Sequence, residues 1–102
     1  MARILAVDDS KAIRTMMKIV LELEGHKVAL MEDGVEAMKF ARERTADLVI
    51  SDLNMPNMGG MSLATNLRRL ENYKNVPILI MTTESADYKK QKAKNSGANG
   101  WI

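Results

Sequence analysis

The chain has 102 residues, 46% of them hydrophobic, enough for one domain with a single core and too few for two. Its 15 basic and 13 acidic side chains leave a formal charge of +2, too balanced to mark a nucleic-acid or membrane partner. Cysteine is absent, which excludes disulfides and thiolate metal sites and fits a reducing, cytoplasmic setting.

The first element follows Met1-Ala2-Arg3. The run Ile4-Leu5-Ala6-Val7 is much shorter than a signal-peptide core and far short of a membrane span, so a soluble, unprocessed protein is expected and the run reads as a strand. Asp8, Asp9 and Ser10 come next. Ile13, Met16, Met17, Val20 and Leu21 then recur at i, i+3, i+4, i+7 and i+8, the stripe of an amphipathic helix with Ser10 as N-cap and Gly25 as its stop. His26, just beyond, reads as a surface residue near the helix carbonyls rather than as a metal ligand. A second strand is predicted over 28–31, and a second helix begins near Asp33-Gly34 with Ala37, Met38 and Ala41 inward.

The third strand, 48–50, runs into "SDLNMPNMGG", and a helix follows Gly60 with Leu63, Ala64, Leu67 and Leu70 on one stripe. The fourth strand is predicted over 78–81. A thinner helical pattern spans about 85–96, with Ala86, Ala93 and Tyr88 as anchors, and Gly97 closes it before a last apolar pair, Trp101-Ile102. Its lysine tract "KKQKAK", residues 89–94, lacks interleaved aromatics and reads as a solvated face rather than a nucleic-acid patch.

The apolar runs are continuous rather than alternating, as in strands covered on both faces. With helices between them, the order is βαβαβαβαβ, which right-handed crossovers turn into a doubly wound parallel sheet. Ligands of such sheets bind beyond the carboxyl ends of the strands. The residues there are Asp8 and Asp9, then Asp52, then Thr82 and Thr83. If the first and third strands are neighbours, three carboxylates converge, and each pair about 5 Å apart repels by about 3 kcal/mol at an effective dielectric of 20. A hard divalent cation such as Mg²⁺ is the natural counter-charge for oxygen ligands. Helix capping explains one acid at this edge but not all three.

Four stretches in this order, "ILAVDDS", "SDLNMPNMGG", "ILIMTTES" and "GANGWI", resemble the response-regulator receiver domain over all 102 residues, and more narrowly the CheY-like chemotaxis regulators. The resemblance implies a flavodoxin-like five-stranded sheet of order 2-1-3-4-5 and a two-component signalling protein. It makes Asp52 the phospho-acceptor, supplied by a histidine kinase, and Mg²⁺ the cofactor. Asp9, Asp52 and the Asn54 carbonyl would ligate the metal directly, with Asp8 acting through a water. Thr82 would contact the phosphoryl group and switch, and Trp101 stands at the aromatic switch position. Asn54 and Glu84 would flank the phosphoryl group and tune hydrolysis. Output by way of the flagellar motor switch protein, with a phosphatase as a further partner, follows from the chemotaxis likeness.

The chain departs from the family where it stops at Ile102, before the family's lysine, cis-proline and last helix. Reading it as a receiver without its final helix, one expects the sheet face shared with the first helix to be half covered, phosphoryl transfer to be impaired and the chain to self-associate. Smaller departures are Gly59 where an acid is frequent, and Thr83, whose branched side chain narrows access to the acceptor. Two other functions stay open: a receiver-type interaction module working without phosphorylation, and an aspartate-nucleophile phosphohydrolase. The phosphohydrolases carry their strand-one acids at alternate positions, whereas Asp8 and Asp9 are adjacent.

Overall fold

The computed structural model describes residues 1–81 and 97–101, with the backbone alone at Trp101. Five parallel strands, β1 (Arg3–Val7), β2 (Lys27–Met31), β3 (Leu48–Asp52), β4 (Ile78–Met81) and β5 (Gly100–Trp101), form one sheet in the order β2-β1-β3-β4-β5. The helices α1 (Lys11–Leu23), α2 (Gly34–Glu43) and α3 (Gly60–Leu67) connect the first four strands. The expected helix over 85–96 lies outside the described residues.

Each helix begins where its sequence offers a cap. The Ser10 hydroxyl accepts from the Ile13 amide at 3.3 Å, and the Asp33 carboxylate accepts from the Glu36 amide at 2.9 Å. Gly25, at φ 87°, follows the end of α1, in the left-handed region glycine enters without a Cβ penalty. The third helix is shorter than its apolar stripe suggests. It ends at Leu67, because the Leu70 amide bonds back three residues to Leu67 and Leu70 itself turns extended at ψ 132°. Leu70 still packs against the core, but from a turn rather than from the helix.

The two faces of the sheet are unequal. On the α2/α3 side, Leu5, Val7, Ala37, Met38, Val49, Leu63, Leu67, Tyr73, Ile78 and Ile80 are all buried. On the α1 side the buried group is Ile4, Ala6, Met17 and Ile50, with Ile13 and Leu21 partly covered. Met16 and Val20, expected on the inward stripe of α1, are each 53% exposed. Among the described residues no element packs over that flank of the helix, so the apolar stripe is wider than the surface that receives it. His26 meets the helix end through its main chain, its amide donating to the Leu21 carbonyl at 3.1 Å, while its Nδ1 accepts from the Ala2 amide at 3.0 Å and pins the start of β1.

Two polar side chains knit the far end of the fold. The buried Tyr73 hydroxyl accepts from the Ala46 amide at 3.0 Å and donates to the Arg44 carbonyl at 2.6 Å. The Arg68 guanidinium donates to the carbonyls of Tyr73, Val76 and Gly97 and to Asn99 Oδ1, at 2.6 to 2.9 Å. It thereby ties the end of α3 to the approaches of β4 and β5. No described helix is long and apolar enough to cross a membrane.

Candidate functional site at the carboxyl ends of β1 and β3

The pairing of β1 with β3 determines what meets at the sheet edge. Val7 stands opposite Ser51 in a parallel register, so the next residues along, Asp8 just past β1 and Asp52 at the end of β3, stand side by side. Carboxylate oxygens of Asp8, Asp9 and Asp52 all lie within 4.8 Å of one another. The three acids that the sequence places after strands one and three are therefore brought together.

They are not equivalent. Asp8 is buried, 4% exposed, Asp52 is half-buried and Asp9 is exposed. One Asp8 oxygen accepts from the Ser10 amide at 2.8 Å, which leaves its other oxygen for the cluster. Neither acid caps α1; the Ser10 hydroxyl does that. Burial pushes the Asp52 carboxyl above the usual carboxylate range, and the neighbouring Asp8 charge adds to it. The main-chain amide of Leu53 pulls the other way, Asp9 raises it further, and the amide of Asn54 again opposes. Among the described residues no lysine, arginine or histidine forms an ion pair with any of the three.

Arg14 bonds to the main chain at this cluster, and the apolar pattern of α1 gave no sign of it. Its Nη1 donates to the main-chain carbonyl of Asp8 at 2.7 Å and its Nη2 lies 3.7 Å from Glu32, so the guanidinium braces the backbone without neutralising the cluster. All-oxygen donors, one buried and one exposed, suit a hard divalent cation that keeps some of its waters. The residues present fit Mg²⁺ on that chemistry.

The loop after Asp52 explains its glycines. A Cβ on Gly60 would run into the Asp52 carbonyl, and one on Gly59 would lie 2.9 Å from the Leu53 carbonyl, so only glycine lets the chain double back beneath Asp52. The Gly60 amide closes this turn on the Leu53 carbonyl at 3.0 Å, and the buried Ser51 hydroxyl donates to the Asp52 carbonyl at 3.0 Å. Asn54 is exposed within the turn. Met55 and Met58 are partly buried and pack against the main core, anchoring the loop. Thr82, Thr83 and Glu84 lie outside the described residues, as does the lysine tract. The backbone of Trp101 pairs with Ile80 in β5, and its side chain is not among the described groups.

The response regulator receiver domain family matches residues 4–102. The chain belongs to that family. It is 34% identical over 101 residues to the chemotaxis protein CheY-3 of Vibrio cholerae, covering 98% of this chain and 78% of that protein. The structure of the chemotaxis response regulator CheY4 of Vibrio cholerae superposes with a TM-score of 0.96 at 44% identity, over 100% of this chain and 85% of that one. The receiver domain of sensor histidine kinase PA1611 from Pseudomonas aeruginosa PAO1 has a TM-score of 0.91 at 27% identity, covering 99% of this chain and 83% of its own. That structure has a magnesium ion coordinated in its active site cleft. The chain spans 15% of a sensor kinase/phosphatase and 42 to 44% of several transcriptional regulatory proteins that it also matches.

Proposed function

We propose that this receiver is a single domain over residues 1–102 that works as a cytoplasmic phosphorylation switch, taking a phosphoryl group on Asp52 from the phosphohistidine of a histidine kinase. The observation that carries the reading is the convergence of Asp8, Asp9 and Asp52, whose carboxylate oxygens lie within 4.8 Å of one another. A structural role does not account for three mutually repelling acids at the ligand-binding edge of a parallel sheet.

In this reading an Asp52 carboxylate oxygen forms a bond to phosphorus while the phosphorus–nitrogen bond to the donor imidazole breaks and its electron pair returns to the ring. Mg²⁺, when bound, offsets the charge of the acids and of the incoming phosphoryl oxygens. Asp9, Asp52 and the Asn54 carbonyl would hold it directly. Asp8, with one oxygen committed to the Ser10 amide, would act through a water. The half-buried setting of Asp52 limits the water that could hydrolyse an acyl phosphate, and Asn54 with Glu84 would tune that access. Thr82 is assigned the phosphoryl contact and Trp101 the aromatic switch by their matching positions. The likeness to chemotaxis regulators supports an output at the flagellar motor switch, with a phosphatase resetting the signal.

The test is transfer of radiolabelled phosphate from a phosphorylated histidine kinase, or from acetyl phosphate. Label is expected on the parent chain with Mg²⁺ and is lost in EDTA and in Asp52→Asn. Equal labelling of Asp52→Asn overturns the assignment.

A further inference from the structure

A second set of contacts, away from the acids, bears on how the acceptor loop is held. The loop from Leu53 to Gly59 is fixed to the sheet at its start, where the Leu53 amide donates to the Met81 carbonyl at 3.0 Å. Its far end is fixed sideways to the start of α2. Asn57 Nδ2 donates to Asp33 Oδ2 at 2.7 Å, and the Gly34 amide donates to the Met58 carbonyl at 3.0 Å. Asn57 reaches Asp33 from a left-handed backbone conformation, φ 67°, and among the described residues it is the one non-glycine residue with positive φ. Gly34 leaves no slack at the second contact, since a Cβ there would lie 2.6 Å from Met58 Cγ and 2.8 Å from the Met58 carbonyl oxygen. Asn54 sits in the span between these two anchorages.

We propose that the Asn57–Asp33 bond and the Met58–Gly34 contact form a latch that positions the Asn54 carbonyl for the metal beside Asp52, making Asn57 and Asp33 positioning residues of the phospho-acceptor site. The proposal rests on the metal-dependent reading of Asp52 given above. Asp33 has both oxygens employed, Oδ1 on the Glu36 amide as the cap of α2 and Oδ2 on Asn57, so one carboxylate joins the helix start to the loop. The bond to an ionised acceptor is of the stronger, charge-assisted kind. Side chains that orient metal ligands from behind typically alter affinity by ten- to a hundredfold when removed.

Mg²⁺ affinity measured by isothermal titration tests the latch, with amide hydrogen exchange in the absence of metal as a second readout. Asn57→Gly removes the amide while keeping the left-handed backbone available. It is expected to weaken Mg²⁺ binding about tenfold and to speed exchange of the Gly34 amide. The exchanged pair Asp33→Asn with Asn57→Asp restores a donor and an acceptor and is expected to recover the parent affinity. Asn72→Ala is the control, because it deletes an equally short exposed side-chain bond, Asn72 Nδ2 to Thr45 Oγ1 at 2.7 Å, elsewhere in the fold. Parent-like affinity in Asn57→Gly, or an equal loss in Asn72→Ala, overturns the latch alone. A parent chain that binds no Mg²⁺ overturns the metal-dependent reading of Asp52, and the positioning role falls with it.

Discussion

Neutralising Asp52 should make the metal-free protein more stable, not less. Asp52 shares its site with Asp8 and Asp9, with oxygens within 4.8 Å, and a pair at that distance repels by about 3 kcal/mol at an effective dielectric of 20. Asp9 is exposed and Asp52 is half-exposed, so solvent screening reduces the recoverable part to about 1–2 kcal/mol. The sign follows from the raised Asp52 pKa. A carboxyl whose folded pKa lies above the unfolded value favours the folded state at pH below that unfolded value, and this is lost as pH rises through the folded pKa. At neutral pH the ionised group is therefore a burden, and Asp52→Asn removes it. In EDTA the variant should melt about 4–16 °C above the parent, given about 4–8 °C per kcal/mol for a domain of this size. The gap should open as pH rises above the ordinary aspartate value of 3.8 and level off once pH has passed the raised folded value. Mg²⁺ at 100 times its dissociation constant should raise the parent by about 2.7 kcal/mol, more than the gap, so that the parent then melts above the variant. Thermal melts followed by far-ultraviolet circular dichroism measure both. An Asp52→Asn protein melting at or below the parent in EDTA refutes the claim that the cluster is repulsive.

Three further outcomes follow from the contacts. Gly60→Ala places a methyl against the Asp52 carbonyl; it should cost about 1–3 kcal/mol in urea unfolding and weaken Mg²⁺ binding, because Asp52 must shift. Tyr73→Phe leaves the Ala46 amide and Arg44 carbonyl without their partner and should cost about 2 kcal/mol. Burial raises the Tyr73 pKa, so its contribution is present below the ordinary value of 10.0 and is lost as pH rises beyond it, and the variant should show a flatter alkaline limb. Arg68→Met removes a guanidinium bonded to the carbonyls of Tyr73, Val76 and Gly97; it should destabilise by about 3 kcal/mol, with the fastest added hydrogen exchange at Ile78 and Asn99, the amides beside its contacts.

What could be read from the amino-acid order was whatever is encoded at short range. Continuous apolar runs fixed the strands, and the spacing from Ile13 to Leu21 with Ser10 in front fixed α1. The acids were legible because a parallel sheet sends its strand ends to one edge, so Asp8, Asp9 and Asp52 needed no partner information to be singled out. Arg68 and Tyr73 were not legible. Their partners lie at main-chain carbonyls and amides, which every residue carries, so no spacing rule marks them. The Asn57–Asp33 bond spans 24 positions and joins two residue types that turns and caps use anyway. Met16 and Val20 show the converse failure: periodicity finds the apolar face of a helix but not how much surface lies beneath it.

The convergence of the acids depends on register more than on composition. Because Val7 pairs with Ser51, the alternation along each strand carries both strands off the sheet edge in phase, and Asp8 and Asp52 emerge together. A slip of one residue would turn every side chain of one strand to the opposite face. It would carry Val49 to the α1 face and Ile50 to the α2/α3 face, each into the other's environment, and the core would reject it at a cost larger than the repulsion among three partly solvated acids. The hydrophobic pattern of β1 and β3 thus enforces the charge cluster: the same packing that makes the sheet stable holds three negative groups where they cannot relax apart. A site assembled in this way is strained electrostatically but not sterically, and a cation or a change of charge on Asp52 can act on it without disturbing the core.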